Sequence, residues 1–223
     1  MATVSAALSA LRSQRRRPRA GRVCGWFAEW RRPSRRRHRS LQRYRRGVRR
    51  TPGGADLLFN NAGVMLPAPI KELRTDQWEQ QIDLNVAGLM HAIGAFTPQL
   101  VEAAAERGVA DLINTSSIAA QNIFPNVAVY SATKAYVTHL SRHLRVELGP
   151  RGVRVAAIEP GIVGTELQSH VTDAGALQWL DGSKETMEWL TPQDIAEIVG
   201  FIAALPPRVN LQQTTIMPTG QAG

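Results

Sequence analysis

Cysteine is almost absent from this sequence, and long apolar runs are missing altogether. The 223 residues contain a single cysteine, Cys24, so no disulfide can form within one chain. No apolar run approaches the roughly 18 residues that a membrane-spanning helix requires. We therefore predict a cytoplasmic protein with no membrane partner, and a chain of this length can form one domain with a sizeable core.

Lysine is missing, and acids are nearly missing, from the segment 1–54. This segment, called the head below, contains 17 arginines and one acid, Glu29, which gives it a net charge of +16. The remaining residues 55–223, called the body, carry a net charge of −7. The overall charge of +9 and the pI near 10.9 therefore describe a basic head joined to an acidic body.

The body alternates short apolar runs with longer amphipathic stretches. Buried parallel strands are predicted at 55–63, 109–117, 153–161 and 214–220. Helices are predicted at 75–108, with Thr75 as N-cap and Gly108 as the stop, at 127–149, and from Thr191 onward. This alternation indicates an α/β fold with a parallel sheet covered on both faces. Between Glu166 and Leu190 the periodicity fades, which fits either a mobile lid over a pocket or a surface insertion.

A tyrosine and a lysine stand four residues apart on the second predicted helix. Tyr130 and Lys134 therefore share one face of that helix, one turn apart. A nearby ammonium favours the phenolate, so Lys134 is expected to lower the pKa of Tyr130 from its ordinary value of about 10. A tyrosine tuned in this way can exchange a proton near neutral pH, as a general acid–base catalyst does.

Three consecutive predicted strands end in small or polar residues. The sequence NNAG at 60–63 follows the first strand, Ser117 ends the second, and Pro160 with Gly161 ends the third. Ligands bind at the carboxyl ends of the strands in open α/β sheets. The sequence therefore predicts a binding site at this rim, where the Ser117 hydroxyl can hydrogen-bond a substrate carbonyl.

These motifs stand in the order and at the spacing of the short-chain dehydrogenase/reductase family, which residues of about 55–220 closely resemble. The matching residues are NNAG at 60–63, Asn85 in LNVAG, Ser117, Tyr130 and Lys134 in YSATK, and PGIVGT at 160–165. The resemblance implies a Rossmann-like, doubly wound parallel sheet.

The resemblance also implies a role for each matching residue. Tyr130 would exchange the proton of the alcohol or carbonyl oxygen, Lys134 would hold the nicotinamide ribose, and Ser117 would orient the carbonyl. Asn85 would hold a water that links Lys134 to solvent. Besides Tyr130 and Lys134, the residues that would contact the cofactor are Asn61, Ala62, Gly63, Pro160, Gly161, Val163 and Thr165.

By the same resemblance, hydride would pass between a nicotinamide cofactor and a small alcohol or carbonyl substrate. NADP is preferred over NAD, and the tail at 209–221 is similar to that of reductases acting on hydroxy acids and aliphatic carbonyls. The family's habits imply a homodimer or homotetramer. No metal site is expected, because His139 and His143 have the spacing of a helical metal pair but lack a third ligand.

The family's Gly-rich turn, which binds pyrophosphate at a helix N-terminus, is missing from the head. The head also offers no apolar run for the strand that should lie beside residues 55–63. We therefore expect a short-chain dehydrogenase/reductase domain in the body whose sheet is incomplete at its N-terminal half.

Three interpretations of the head remain open: a targeting presequence, a nucleic-acid-binding arm, and translation in a wrong reading frame. The third is favoured because the head replaces the beginning of a domain instead of preceding one. Arg, Ala, Gly and Pro, which all have GC-rich codons, also make up more than half of the head. The head is then disordered or artefactual, and nucleic acid is not an expected partner.

Two functional hypotheses follow from the body and the head together. The first is an NAD(P)-dependent oxidoreductase, whose activity in this chain is in question without the Gly-rich turn. The alternative is a catalytically dead, reductase-like scaffold with a basic head that binds nucleic acid or another partner. The set of Asn85, Ser117, Tyr130 and Lys134 favours the first hypothesis, and the missing turn favours the second.

Overall fold

The structure is a computed structural model that describes residues 23–25, as backbone only, and residues 55–222. The strands are β1 (Val23–Gly25), β2 (Leu57–Asn60), β3 (Ala110–Thr115), β4 (Val153–Pro160) and β5 (Gln213–Ile216). The α-helices are α1 (Thr75–Ile82), α2 (Leu89–Arg107), α3 (Ala128–Leu148), α4 (Ala174–Thr186) and α5 (Pro192–Ala204). The interpretations of the head as disordered, shifted in frame or nucleic-acid-binding concern residues outside the described ranges.

The five strands form one parallel sheet in the order β1-β2-β3-β4-β5. Strand β4, which has a neighbour on each side, is buried along all eight of its residues. One core cluster lies on the face covered by α2 and α3 and includes Phe96 and Leu100. The other lies under α5 and includes Ile195 and Val199. The predicted α/β fold, with a parallel sheet covered on both faces, is thus confirmed.

The prediction that the head supplies no strand beside β2 is wrong. Val23–Gly25 pairs in parallel with Leu57–Phe59. An open sheet edge offers unpaired main-chain N–H and C=O groups, so a short extended segment can pair there without an apolar run. The segment that follows β1, where the family's Gly-rich turn would lie, is outside the described ranges.

The long helix predicted at 75–108 is divided in two. Between α1 and α2 the chain forms a π-helical turn at Asp83–Gly88. Such turns insert extra backbone into a helix and often occur at functional sites. The N-cap is Arg74, with Thr75 as the first helical residue, so the predicted cap was one residue late. The predicted stop at Gly108 is confirmed, with a φ of 84°.

The later helix boundaries follow their capping signals. Helix α3 ends where predicted, and a short 3₁₀ turn at Gly149–Arg151 follows it. Helix α5 begins after Thr191, whose hydroxyl accepts a hydrogen bond from Asp194 N while the Asp194 carboxylate accepts one from Thr191 N. The segment 166–190, where the periodicity fades, contains a 3₁₀ helix at Glu166–His170 and helix α4.

A buried ion pair joins the amino ends of β3 and β4. Arg154 Nε and Nη2 donate to the two carboxylate oxygens of Asp111 over 2.7 and 2.8 Å. Arg154 Nη1 also donates to Leu205 O over 2.9 Å, beyond the end of α5. Burial raises the pKa of Asp111, and the hydrogen bond and charge of Arg154 oppose that rise. Arg154 therefore ties the end of α5 to the amino ends of β3 and β4.

Within the part of the chain that the structure describes, no helix combines the length and the apolar character needed to cross a membrane.

Candidate active site

A cavity of about 480 Å³ lies at the carboxyl ends of β2, β3 and β4. This is the rim that the sequence predicts as the binding site. Nine of the predicted site residues line it: Asn61, Gly63, Ser117, Tyr130, Lys134, Pro160, Gly161, Val163 and Thr165. The parallel strands therefore bring together residues that are separated by as many as about a hundred positions in sequence.

Two predicted site residues do not line this cavity. Ala62 lines a separate, small depression beside the start of α2. Asn85 is buried behind the cavity, where its Oδ1 accepts from Val64 N over 2.9 Å and its Nδ2 donates to Val64 O over 3.0 Å. Its Nδ2 also donates to Thr133 Oγ1 over 3.0 Å. Asn85 thus fastens the segment after β2 to α3, and the water expected at this residue stays a prediction.

Ser117 and Tyr130 face each other from two different elements. Ser117 follows β3 and caps a short 3₁₀ helix, where its Oγ accepts from Ala119 N over 3.1 Å. Tyr130 lies in the first turn of α3, and its side chain is close enough to the Ser117 side chain for that hydroxyl to influence the Tyr130 pKa. Both residues are buried, with 9% and 7% of their surface exposed. Two hydroxyls are therefore held next to each other on the cavity wall.

The expected lowering of the Tyr130 pKa is wrong for this structure. Burial raises the pKa of Tyr130 to about 12, and the nearby Ser117 hydroxyl opposes the rise. Lys134 Nζ lies 5.6 Å from the centre of the tyrosine ring, and burial is nevertheless the largest influence on the Tyr130 pKa. The phenol therefore keeps its proton at neutral pH and is available as a proton donor.

Lys134 stands between Tyr130 and the segment after β2. Its Nζ donates to Thr115 O over 2.9 Å. A Cβ on Gly63 would lie 3.5 Å from this Nζ and 3.4 Å from Asn85 Oδ1, so the NNAG segment is in contact with both predicted catalytic residues. Burial lowers the pKa of Lys134 to about 8. Its charge therefore titrates within two pH units of neutrality.

The turn at Pro160–Gly161 has a partner that the sequence analysis missed. Gln221 Oε1, from the tail, accepts from Ile162 N over 3.0 Å. A Cβ on Gly161 would overlap this same oxygen, so a larger residue here would displace the Gln221 side chain. Gln221 carries no motif, and its role arises only because the tail folds back against the end of β4.

The segment 166–190 forms one wall of the cavity. Trp179 and Leu180 of α4 line it. Gly164 N donates to Leu190 O over 2.8 Å and Leu190 N donates to Ile162 O over 3.1 Å, so both ends of the segment are fastened together. The interpretation as a covering segment fits this placement better than a remote surface insertion, and its mobility stays a prediction.

Among residues 55–222, no three histidine, cysteine or acidic side chains are grouped as ligands for a metal ion. His139 and His143 lie on an exposed face of α3, with 3.2 Å between their Nε2 atoms.

The comparisons with known proteins agree with this geometry. The family model described as short chain dehydrogenase matches residues 34–175. The chain belongs to the short-chain dehydrogenase family. The match begins within the head, ahead of the boundary that the sequence predicts between positions 54 and 55, and that boundary stays a prediction.

Two curated relatives show how much of the chain is shared. An uncharacterised oxidoreductase of Listeria monocytogenes is 37% identical over 171 residues, which cover 76% of this chain and 67% of the relative. The sulfoacetaldehyde reductase of Chromohalobacter salexigens is 40% identical over 167 residues, which cover 74% of this chain and 64% of the relative. The chain thus spans about two thirds of the length of these relatives.

Two solved structures are similar to this protein in fold. Serine dehydrogenase in its closed form with NADP+ is 31% identical, with a TM-score of 0.71 over 83% of this chain and 74% of the other. The serine dehydrogenase of Escherichia coli is 30% identical, with a TM-score of 0.64 over 83% of this chain and 75% of the other.

Proposed function

We propose that this protein is an NAD(P)-dependent oxidoreductase that reduces a small carbonyl compound to an alcohol. The observation that carries the proposal is the placement of the buried Ser117 and Tyr130 side chains beside Lys134, on the wall of a cavity. Family membership and the reductases and dehydrogenases among its relatives support it.

The nicotinamide group, when bound, supplies or accepts the hydride. The protein's own residues handle the substrate oxygen and its proton. The Ser117 hydroxyl holds the carbonyl oxygen, and the neutral Tyr130 phenol donates a proton to that oxygen as negative charge develops on it. Because burial keeps Tyr130 protonated, the phenol is ready to donate its proton to a carbonyl oxygen, whereas alcohol oxidation starts from the phenolate.

The described residues fit one end of a dinucleotide cofactor. Lys134 has three N–H donors and gives one to Thr115 O, so further donors remain for ribose hydroxyls. Gly63 and Gly161 keep the wall free of side chains where backbone and ligand would approach. The Gly-rich turn that would hold the pyrophosphate is missing from the sequence of the head, and the segment after β1 lies outside the described residues. We keep NADP as the preferred cofactor, as in the serine dehydrogenase complex.

The lining and the volume of the cavity limit the kind of substrate that fits. Apolar side chains form much of its wall: Met65, Ile118, Phe124, Val127, Leu167, Trp179 and Leu180. Its volume of about 480 Å³ has to hold the nicotinamide end of the cofactor as well, so little space is left for the substrate. A small aldehyde, ketone or hydroxy acid fits that space.

A homodimer or homotetramer and a cytoplasmic location stay predictions.

The test combines binding and turnover. Quenching of tryptophan fluorescence would measure binding of NADPH and NADH to the full chain, and loss of NADPH absorbance would measure reduction of a panel of small aldehydes and ketones. We expect saturable NADPH binding and turnover of at least one carbonyl. A chain that has native circular dichroism but neither binds nor oxidises NADPH would overturn the proposal. Salt-dependent DNA binding by that chain would then favour the scaffold hypothesis.

A further inference from the structure

The tail after β5 folds back against the end of β4. Gln221 N donates to Pro218 O over 3.0 Å, which closes a tight turn in the tail. Gly161 N donates to Ile216 O over 2.8 Å, and Ile162 N donates to Gln221 Oε1 over 3.0 Å. A Cβ on Gly161 would overlap Gln221 Oε1 and would lie 3.0 Å from Pro218 Cδ. The tail is therefore in direct contact with the main chain that follows β4.

The same part of the tail also meets the segment 166–190. A Cβ on Gly220 would lie 3.1 Å from the Cβ of Met187, the residue that follows α4. At the end of that segment, Leu190 N donates to Ile162 O over 3.1 Å. Ile162 is therefore held on its N–H side by the tail and on its C=O side by the segment that walls the cavity.

The amide of Gln221 has a second polar atom. A main-chain N–H only donates, so the Gln221 atom that meets Ile162 N is the amide oxygen, and the nitrogen is left for another partner. Among residues 55–222, none forms a hydrogen bond with Gln221 Nε2. Gln221 lines the cavity beside Pro160 and Gly161. Its two N–H donors are therefore available to a ligand at this wall.

The position of this wall points to the cofactor. Hydride transfer requires the nicotinamide ring to lie beside the carbonyl carbon whose oxygen meets Ser117 and Tyr130. Strand β3, which precedes Ser117, pairs with β4 as far as Thr115 and Ile158, so the turn after β4 lies next to the Ser117 side of the cavity. The nicotinamide end of the cofactor therefore lies along this turn.

We propose that Gln221 is a binding residue for the nicotinamide end of the cofactor, an inference that rests on the proposed function. Its Oε1 fixes the main chain at Ile162. Its Nε2 donates to the carboxamide oxygen of nicotinamide, an acceptor that needs a new donor once it leaves water. A glutamate at this position keeps the acceptor for Ile162 N and loses the donor, so it separates the two roles.

The role of Oε1 can be measured without cofactor, by amide hydrogen exchange at Ile162 in the full chain. We expect this amide to be protected in the wild type and in Gln221→Glu, and to exchange at least about tenfold faster in Gln221→Ala. Gln212→Ala is the matched control, because Gln212 lies in the same tail and contacts β4 through its main-chain oxygen. An unprotected Ile162 amide in the wild type would overturn the proposal, whether or not the chain is a reductase.

The role of Nε2 can be measured with reduced nicotinamide mononucleotide. This probe lacks the adenosine half, so its binding does not depend on a Gly-rich turn. We expect Gln221→Glu and Gln221→Ala to bind it about tenfold more weakly than the wild type and Gln212→Ala, since both lose the donor.

The possible failures are distinct. Equal binding by the wild type and Gln221→Glu would overturn the inference and leave the proposed function standing. A wild type that does not bind the probe at all would overturn the inference and count against the proposed function as well. If Gln221→Ala does not fold, Gln221→Glu still decides between these outcomes.

Discussion

Buried polar groups have different kinds of partner at the two ends of strands β3 and β4. At the amino ends, the Asp111 carboxylate meets the Arg154 guanidinium in a two-pronged ion pair. At the carboxyl ends, the Glu159 carboxyl contacts only hydroxyls and amides, and the Tyr130 and Ser117 side chains both line an open cavity.

Because of this difference, we expect the amino ends to contribute mainly to stability and the carboxyl ends mainly to the reaction. A buried charge that is paired with an opposite charge contributes to stability, because removing either partner leaves an uncompensated ion. Groups matched by neutral hydrogen bonds can gain or lose a proton with less rearrangement, which a reaction at the substrate oxygen requires. Changes at the amino ends should therefore alter folding, and changes at the carboxyl ends should alter turnover.

The largest effect is expected at the carboxyl ends. Tyr130→Phe removes only the phenolic oxygen and should lower kcat by about 10²- to 10⁴-fold, the range that general acid–base catalysis supplies. Binding of NADPH and the thermal midpoint should change little. Tyr136→Phe, on the exposed side of the same helix, is the matched control and should keep full activity. A Tyr130→Phe variant as active as that control would remove Tyr130 from the mechanism.

At the amino ends, the corresponding change should act on folding. Arg154→Ala leaves Asp111 buried without its partner and should cost about 3–5 kcal/mol in the free energy of unfolding. Arg107→Ala, which removes the partner of Asp56 at a partly exposed site, should cost only about 0–1 kcal/mol. Urea unfolding followed by circular dichroism measures both. Similar costs for the two variants would show that burial does not distinguish these pairs.

The pH dependence of stability reports on the cavity side. Lys134 has a pKa of about 8 when folded and 10.5 when unperturbed, so the unfolded chain binds more protons between these values. Its contribution to stability should therefore increase as the pH rises from about 8 toward 10. Tyr130, with its pKa raised from 10.0 to about 12, acts in the opposite direction above pH 10.

Urea unfolding of the wild type and of Lys134→Met at several alkaline pH values provides the measurement. The variant should lose the increase below pH 10 that the wild type shows, whereas Tyr130→Phe should keep it. Identical profiles for wild type and Lys134→Met would contradict the lowered pKa of Lys134.

A small effect on folding is expected where α5 begins, at the same side of the sheet as the cavity. Thr191→Ala removes the hydroxyl that accepts from Asp194 N and should cost about 1 kcal/mol of stability. Thr191→Ser keeps that hydroxyl and serves as the control. Because the other end of α5 is held by Arg154, the loss should stay well below that of Arg154→Ala. A cost for Thr191→Ala equal to that of Arg154→Ala would contradict the contrast between the two ends.

Much of the candidate site could be predicted from local sequence. NNAG, Ser117, the Tyr130–Lys134 pair and Pro160–Gly161 each stand at a strand end or on one helix face, and parallel strands bring such positions to one rim. The π-helical turn around Asn85 could not be predicted, because the apolar spacing continues through it. Strand β1 was missed since its pairing depends on main-chain groups at a sheet edge and not on side-chain pattern.

Sequence by itself determined the order of strands and helices after β1 and most of the side chains that reach the rim, because periodicity and capping are local properties. Only the tertiary structure decided the pKa shifts and the hydrogen-bond partners of those side chains. The i, i+4 spacing predicted a lowered pKa for Tyr130, yet burial raises it. Glu159 stands in an apolar strand without any motif, and its neutral partners come from α3, from β5 and from the segment after β3. Desolvation and hydrogen-bond partners depend on every element packed around a group, so neither could be predicted from the residues beside it in the chain.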